Sequence, residues 1–250
     1  MPSHLSTVGL PVASEAEFWD LAQRVGPLSL GVPVDGGAYF HWHDGSGAEL
    51  WLQVADGDEF LGMAPHFAGD SRVHARLDYR IPATDGSAFD GSFRATALVE
   101  GSDETYPFVF DSPEFLRLNP VPLPAEVVLQ VAAFAHELEV FDTEADLNAA
   151  QGANAADGPP ALAARCFVYS GHDDAAPDEL PEARAVMSGV VLASGERGNN
   201  LTGRRFTWAL VESHGGTFDV VADATLLPTP PPVGAVMSGS FWLSGRVRLD

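Results

Sequence analysis

The chain has 250 residues, 46% of them hydrophobic, which is enough to bury a sizeable core and excludes a largely disordered chain. Thirty-five acidic residues outnumber thirteen basic ones, so the formal net charge is −22 at pH 7, and every one of the thirteen is arginine. The lack of lysine excludes Schiff-base and phosphate-loop lysine chemistry, and the negative charge disfavours nucleic acids and membrane surfaces as partners.

The cellular compartment is predicted from what the sequence lacks. Residues 1–12 do not show the basic and then apolar regions of a signal peptide, and no stretch is long and apolar enough to cross a bilayer. Cys166 is the single cysteine, so no internal disulfide can form. We therefore expect a cytoplasmic protein.

The N-terminal region predicts one helix among strands. Ser14 and Glu17 have the spacing of a capping box, which places a helix start at this point. The turn 44–47 lies between two alternating segments and predicts a hairpin. The expected elements are a strand at 6–12, a helix at 14–26, and strands at 38–43, 48–54 and 59–67.

Two stretches of this region carry a family resemblance. TVGLPVASEAEFW (7–19) resembles the first strand and helix of one βαβββ unit of the vicinal oxygen chelate (glyoxalase and bleomycin-resistance) superfamily, and GSGAELWLQ (45–53) resembles its last strand. The likeness covers about a quarter of the chain. It implies that Glu49 is a metal ligand in an enzyme that acts on a small molecule.

Histidines near Glu49 make a divalent metal the candidate cofactor. His41 and His43 are two apart on a predicted strand, so their side chains point the same way, and His66 follows on the next strand. A three-residue loop would pair His43 with Glu49, whereas a two-residue loop would turn Glu49 to the opposite face. The alternative is a pair of histidines on a solvated hairpin face.

Strands at 73–81, 92–100 and 106–112 follow, and they contain the most basic stretch of the chain. Arg76 and Arg80 lie on the polar face of the first of these strands, and Arg94 lies on the next. These arginines could bind a carboxylate or a phosphate. The alternative is a solvated strand face balanced by Asp78.

Residues 121–160 are expected to form a helical connector. The proline-rich segment 119–124 is a linker, and Pro124 is placed to begin a helix through residues 125–141. A second short helix is expected from about Thr143.

The final region, residues 161–250, reads as strands throughout and contains a repeat. AVMSG occurs at 185–189 and again at 235–239, and Gly189 and Gly239 lie on the apolar faces of their strands. Glycine there suggests strands that bend or that another backbone approaches closely, as a small closed barrel requires. The region weakly resembles an oligonucleotide/oligosaccharide-binding (OB) barrel, and Trp242 on its polar face is the candidate for ligand contact.

The predicted fold is α+β, with a mixed sheet unit and one helix at 1–120, the helical connector at 121–160, and an antiparallel barrel-like domain at 161–250. No complete catalytic constellation is visible. We expect a noncatalytic binding or scaffold protein for a small molecule or a protein partner. The alternatives are a metal-dependent enzyme of the vicinal oxygen chelate type and, against the charge, nucleic-acid binding through the barrel.

Overall fold

A computed structural model describes residues 3–84, 87–153, 163–171 and 181–248, and strands dominate this mixed α and β structure. The two α-helices of the described ranges are α1 (Glu15–Val25) and α2 (Glu144–Ala153). The strands are β1 (Leu30–Val34), β2 (Gly37–His43), β3 (Ala48–Ala55), β4 (Glu59–Phe67), β5 (Val73–Pro82), β6 (Gly91–Leu98), β7 (Thr105–Asp111), β8 (Ala125–Phe141), β9 (Cys166–Tyr169), β10 (Arg184–Gly198), β11 (Arg205–Ser213), β12 (Gly216–Asp223) and β13 (Val236–Val247).

The predicted first helix is confirmed by its N-terminal cap. Ser14 Oγ accepts a hydrogen bond from the backbone N–H of Glu17, and the Glu17 carboxylate accepts one from the N–H of Ala13. The strand predicted before it is wrong, because residues Ser6–Val8 form a 3-10 turn. Side chains at 3 and 7 bond to nearby backbone there, which offers the chain an alternative to strand pairing.

Strands β1 to β4 form a four-stranded antiparallel sheet in chain order, which we call the small sheet. The predicted hairpin is β2–β3, and its register pairs His43 with Glu49. The next pair across the sheet joins Glu49 to His66 on β4. The length of the loop therefore sets a register that places these three residues side by side across the small sheet.

The predicted helix at 125–141 is wrong, because these residues form β8, and the expected helical connector is absent from the described part of 121–160 apart from α2. β8 pairs with β13 along most of its length, with β5 near its start and with β12 at its middle. Both faces of its middle are buried. A strand buried on both faces has a continuous apolar sequence that resembles a buried helix, which explains the error.

The other nine strands form the large sheet, in the order β11-β12-β8-β5-β6-β7-β13-β10-β9. Additional β8–β13 and β10–β11 pairings turn this order into two rings of paired strands. One ring is β8-β5-β6-β7-β13, the other is β8-β12-β11-β10-β13, and they share β8 and β13. The sheet thus combines strands from both sides of the predicted boundaries at 120 and 160.

The AVMSG repeat forms a cross-strand pair with itself. β10 and β13 are antiparallel, and Ser188 lies opposite Ser238, at the centre of the stretch in which the two copies pair with each other. Met187 lies opposite Gly239, and Gly189 lies opposite Met237. A Cβ on Gly189 would overlap Val211 and the Glu212 carbonyl, and one on Gly239 would overlap the Glu137 carbonyl. The predicted close backbone approach is therefore confirmed at both glycines.

The small sheet and α1 pack on an outer face of the large sheet. The cluster between them contains Leu21 of α1, Leu50 of β3, Phe134 of β8 and Trp208 of β11. The main core lies within the large sheet and includes Phe93, Phe108, Phe218 and Phe241. The candidate site lies where the polar edge of the small sheet meets β13.

Candidate ligand-binding site

A buried charge network joins the small sheet to β13. Arg246 Nη1 lies 3.1 and 3.3 Å from the two carboxylate oxygens of Glu49, and its Nε donates to Glu114 at 2.9 Å. The guanidinium also lies 4.6 Å from the ring centroid of Trp51, whose Nε1 donates to Glu49. Both glutamates are only 4% exposed. Arg246 thus bridges the two glutamates, and Arg117 also pairs with Glu114.

The state of Glu49 follows from these neighbours. Burial raises the pKa of its carboxyl, but the hydrogen bond with His41 and the charges of His66 and Arg246 outweigh burial and lower the pKa to about 2. Glu49 is therefore ionised at neutral pH. Because this carboxylate accepts hydrogen bonds from a guanidinium and an indole N–H, its acceptor capacity is used by groups of the protein itself.

The predicted metal ligands lie near one another but face different partners. His41 Nε2 lies 3.1 Å from Glu49 and its ring stacks on Trp51 at 4.0 Å, whereas His43 is exposed. Across residues 3–84, 87–153, 163–171 and 181–248, no group of three or more His, Cys, Asp or Glu side chains is arranged to hold a metal ion. As placed, these side chains do not fit a divalent cation, and metal binding stays a prediction.

His66 belongs to a second buried network, which links β4 to the large sheet. Its Nδ1 lies 2.8 Å from Ser244 Oγ and its Nε2 lies 2.6 Å from Gln130 Oε1. The Gln130 amide nitrogen donates to Phe67 O and to Asp219, so the Gln130 oxygen must accept from His66. Nε2 therefore carries the proton and Nδ1 accepts from Ser244. Burial lowers the pKa of His66 to about 4, so the ring is neutral at pH 7.

The three predicted anion-binding arginines have separate partners. Arg76 pairs with Asp78 at 2.6 Å on the surface. Arg80 donates to the carbonyls of Leu118 and Val121, at 2.5 and 2.6 Å. Arg94 lies over the ring of Tyr169, at 5.1 Å. The structure does not bring these arginines together, and anion binding through them stays a prediction.

Trp242, the fourth predicted ligand contact, lies on the wall of a cavity of about 350 Å³. Its Nε1 donates to Asp111 at 2.6 Å, and its ring stacks in parallel with His4, with centroids 4.1 Å apart. Ser92 also donates to Asp111, at 2.5 Å. The cavity is lined by His4, Met63, Ala64, Pro65, Ile81, Pro82, Ala83, Asp90, Gly91, Ser92, Asp111, Ser112, Pro113, Pro181, Trp242 and Ser244.

Two polar groups on the cavity wall retain free bonding capacity. Ser112 is 5% exposed, and its hydroxyl has no hydrogen-bond partner among the described residues. Gln53 donates to Asp90 Oδ1, whereas no side chain or backbone group of the described ranges donates to Asp90 Oδ2. Burial raises the pKa of both Asp90 and Asp111, and Asp90 raises that of Asp111 further.

Asp90, Asp111 and Ser112 are not among the site residues predicted from the sequence. A signal was available, because Asp90 precedes β6, Asp111 ends β7, and a hairpin register between these strands pairs Ser92 with Asp111. Polar residues at the same end of two paired strands indicate a common location. Ser244 joins them because β13 contacts β7 opposite Asp111.

Comparison of the chain with protein-family models, curated proteins and solved structures gives no match. No helix in the described part of the chain is long and apolar enough to span a bilayer. The function of the cavity is therefore inferred from the residues that line it.

Proposed function

We propose that this protein is a noncatalytic binding protein for a small organic molecule, which occupies the cavity beside Trp242. A volume of about 350 Å³ lies within the range of small-molecule sites. The lining combines apolar side chains with a few polar groups, which is typical of such sites.

The observation that carries the proposal is the unpartnered Ser112 hydroxyl on the cavity wall. A buried hydroxyl without a partner costs about 1–3 kcal/mol, so folded proteins rarely retain one. Asp90 lines the same cavity, and its Oδ2 accepts no bond from the described residues. A ligand that bonds to these two groups would remove this cost.

The architecture and location predicted from the sequence remain part of the proposal. The ring β8-β12-β11-β10-β13 supports a small barrel in the C-terminal region, and the close approach at Gly189 and Gly239 supports strongly bent strands there. The second ring would make a companion barrel that shares β8 and β13. A cytoplasmic location remains the expectation for a chain with one cysteine.

The experiment is a ligand-observed NMR screen with a fragment library that contains cationic, neutral and anionic members. Ser112→Leu fills the cavity without breaking a side-chain hydrogen bond, and Ser112→Ala removes the hydroxyl without filling it. We expect hits with the wild type, at most tenfold weaker binding with Ser112→Ala, and loss of binding with Ser112→Leu. The absence of hits, or hits that Ser112→Leu retains, would refute the proposal.

A further inference from the structure

The charges around the cavity are unbalanced. Its lining contains the carboxyls of Asp90 and Asp111 but no arginine, and the whole chain has no lysine. His4 also lines it, but burial, with the nearby His136 and Arg184, lowers the pKa of His4 to about 4, so the ring is neutral at pH 7. Glu182 adds further negative potential at Asp111. The cavity therefore favours a positive charge.

The hydrogen-bonding groups show which carboxyl is available. Both oxygens of Asp111 already accept bonds, from Ser92 and Trp242. Asp90 Oδ2 and the Ser112 hydroxyl are side-chain acceptors of the wall that have no donor among the described residues. An ammonium group has three donors and no acceptor, so it matches a wall with surplus acceptors.

The rest of the wall indicates an organic ligand rather than a metal ion. Its remaining surface is largely aliphatic, from Met63, Pro65, Ile81, Pro82, Pro113 and Pro181. A bare divalent ion fills a small fraction of about 350 Å³ and leaves this apolar surface uncovered. An aliphatic chain would cover it and bury apolar area.

We propose that the ligand is an organic amine, whose ammonium group binds Asp90 Oδ2 and Ser112 Oγ and whose aliphatic body lies against the proline-rich wall. The proposal rests on the proposed function, since it names the ligand class of the same cavity. Asp111 holds Trp242 in place without direct contact with the ligand.

The test compares three probes with the same six-carbon body, n-hexylamine, 1-hexanol and hexanoate, by calorimetric titration at pH 7.5 in 150 mM NaCl. We expect hexylamine to bind at least tenfold more tightly than hexanol, and hexanoate not to bind. Asp90→Asn keeps the acceptor for Gln53 and removes the charge, so it should weaken hexylamine at least tenfold and leave hexanol unchanged. Asp103→Asn, which removes the same charge from an exposed turn, should change neither.

A second measurement does not depend on the variant folding. Hexylamine affinity for the wild type should fall as the pH is lowered, because protonation of Asp90 removes its charge, and burial raises the pKa of Asp90 so that the fall begins at a higher pH than for an exposed aspartate. Comparable affinities for the three probes, or an amine affinity that neither Asp90→Asn nor low pH changes, would overturn the amine assignment and leave the proposed function standing. If none of the three probes binds, the amine assignment is overturned as well. The fragment screen then decides the proposed function separately. Displacement of hexylamine by millimolar Ca²⁺ would show a metal site and overturn the assignment.

Discussion

Arg246 shows how one side chain joins distant parts of this fold. It lies between Glu49 on β3 and Glu114, which precedes the 3-10 turn Phe115–Leu118, and it covers the ring of Trp51. Two buried carboxylates without this guanidinium would repel each other in a medium of low polarity. The side chain is therefore more important for stability than the surface arginines.

Replacement of Arg246 by methionine should lower the free energy of unfolding by about 3–5 kcal/mol, because it leaves the buried Glu49 without its guanidinium partner and Glu114 with Arg117 alone. Urea unfolding monitored by tryptophan fluorescence measures the change. Arg205→Met is the control, since Arg205 pairs with Glu196 on the surface, where such pairs contribute about 0–1 kcal/mol. Equal losses in the two variants would contradict the role assigned to Arg246.

His66 makes stability depend on pH, because its pKa falls from 6.5 in the unfolded chain to about 4 in the folded one. The unfolded state therefore binds the proton more readily, and stability is fully present above pH 6.5 and decreases as the pH falls towards 4. His4, whose pKa is also about 4, acts in the same direction, whereas the raised pKa values of Asp90 and Asp111 oppose it.

We expect unfolding midpoints in urea to decrease from pH 7 to pH 4.5, with a contribution from His66 of up to about 3 kcal/mol. His66→Gln removes the titrating group, so its stability should change less over the same range, whatever its stability at pH 7. A variant with the wild-type pH slope would show that His66 does not cause the effect.

At the scale of elements, the paired repeat explains why two glycines occupy closely packed strand positions. Gly189 contacts β11 and Gly239 contacts β8. In each copy of AVMSG the glycine, which has no Cβ, thus allows a different neighbouring strand to come close. The repeated sequence therefore provides a glycine at each of two close approaches between strands. Other glycines of the same strands, such as Gly198, have open space around them.

Gly239→Ala should destabilise the protein by about 1–3 kcal/mol, because the new methyl group would overlap the backbone of Glu137 and force the strands apart. Gly198→Ala is the matched control on β10, and we expect a change within about 0.5 kcal/mol there. Thermal unfolding of both variants measures the difference. An unchanged Gly239→Ala variant would mean that β8 and β13 can separate without cost.

Across the described part of the molecule, two apolar clusters, one around Leu50 and Phe134 and a smaller one of Tyr39, Trp51 and Phe89, hold the small sheet and α1 against the rest of the fold, together with two buried polar networks. The exposed surface bears most of the net charge of −22. Like charges at this density repel one another and oppose the compact state, while the buried ion pairs are shielded from salt.

Salt should therefore stabilise the protein. Raising NaCl from 10 to 150 mM shortens the screening length from about 30 to about 8 Å, so repulsion between surface carboxylates decreases while the Arg246 network changes little. We expect the Tm at pH 7.5 to rise by several degrees. Choline chloride at the same concentration should give the same rise, and a fall in Tm would show that surface ion pairs outweigh repulsion.

Patterns that depend on near neighbours determined the parts of the fold that were predicted correctly. The Ser14 cap, the β2–β3 hairpin, the alternation along β5 and the strands after Cys166 arise from interactions among residues a few positions apart. The position of the AVMSG glycines on the apolar face follows from the same alternation.

Long-range contacts decided the rest. Residues 125–141 became a strand because β5, β12 and β13 pair with them, and no local pattern distinguishes that environment from a helix core. The partner of Glu49 is 197 positions away, and the cavity combines β4, β6, β7 and β13 with His4. Charge and composition by themselves determined an acidic, folded chain. Only the tertiary structure decided which buried polar groups of the described residues are paired and which are not, because that depends on the partners that packing supplies.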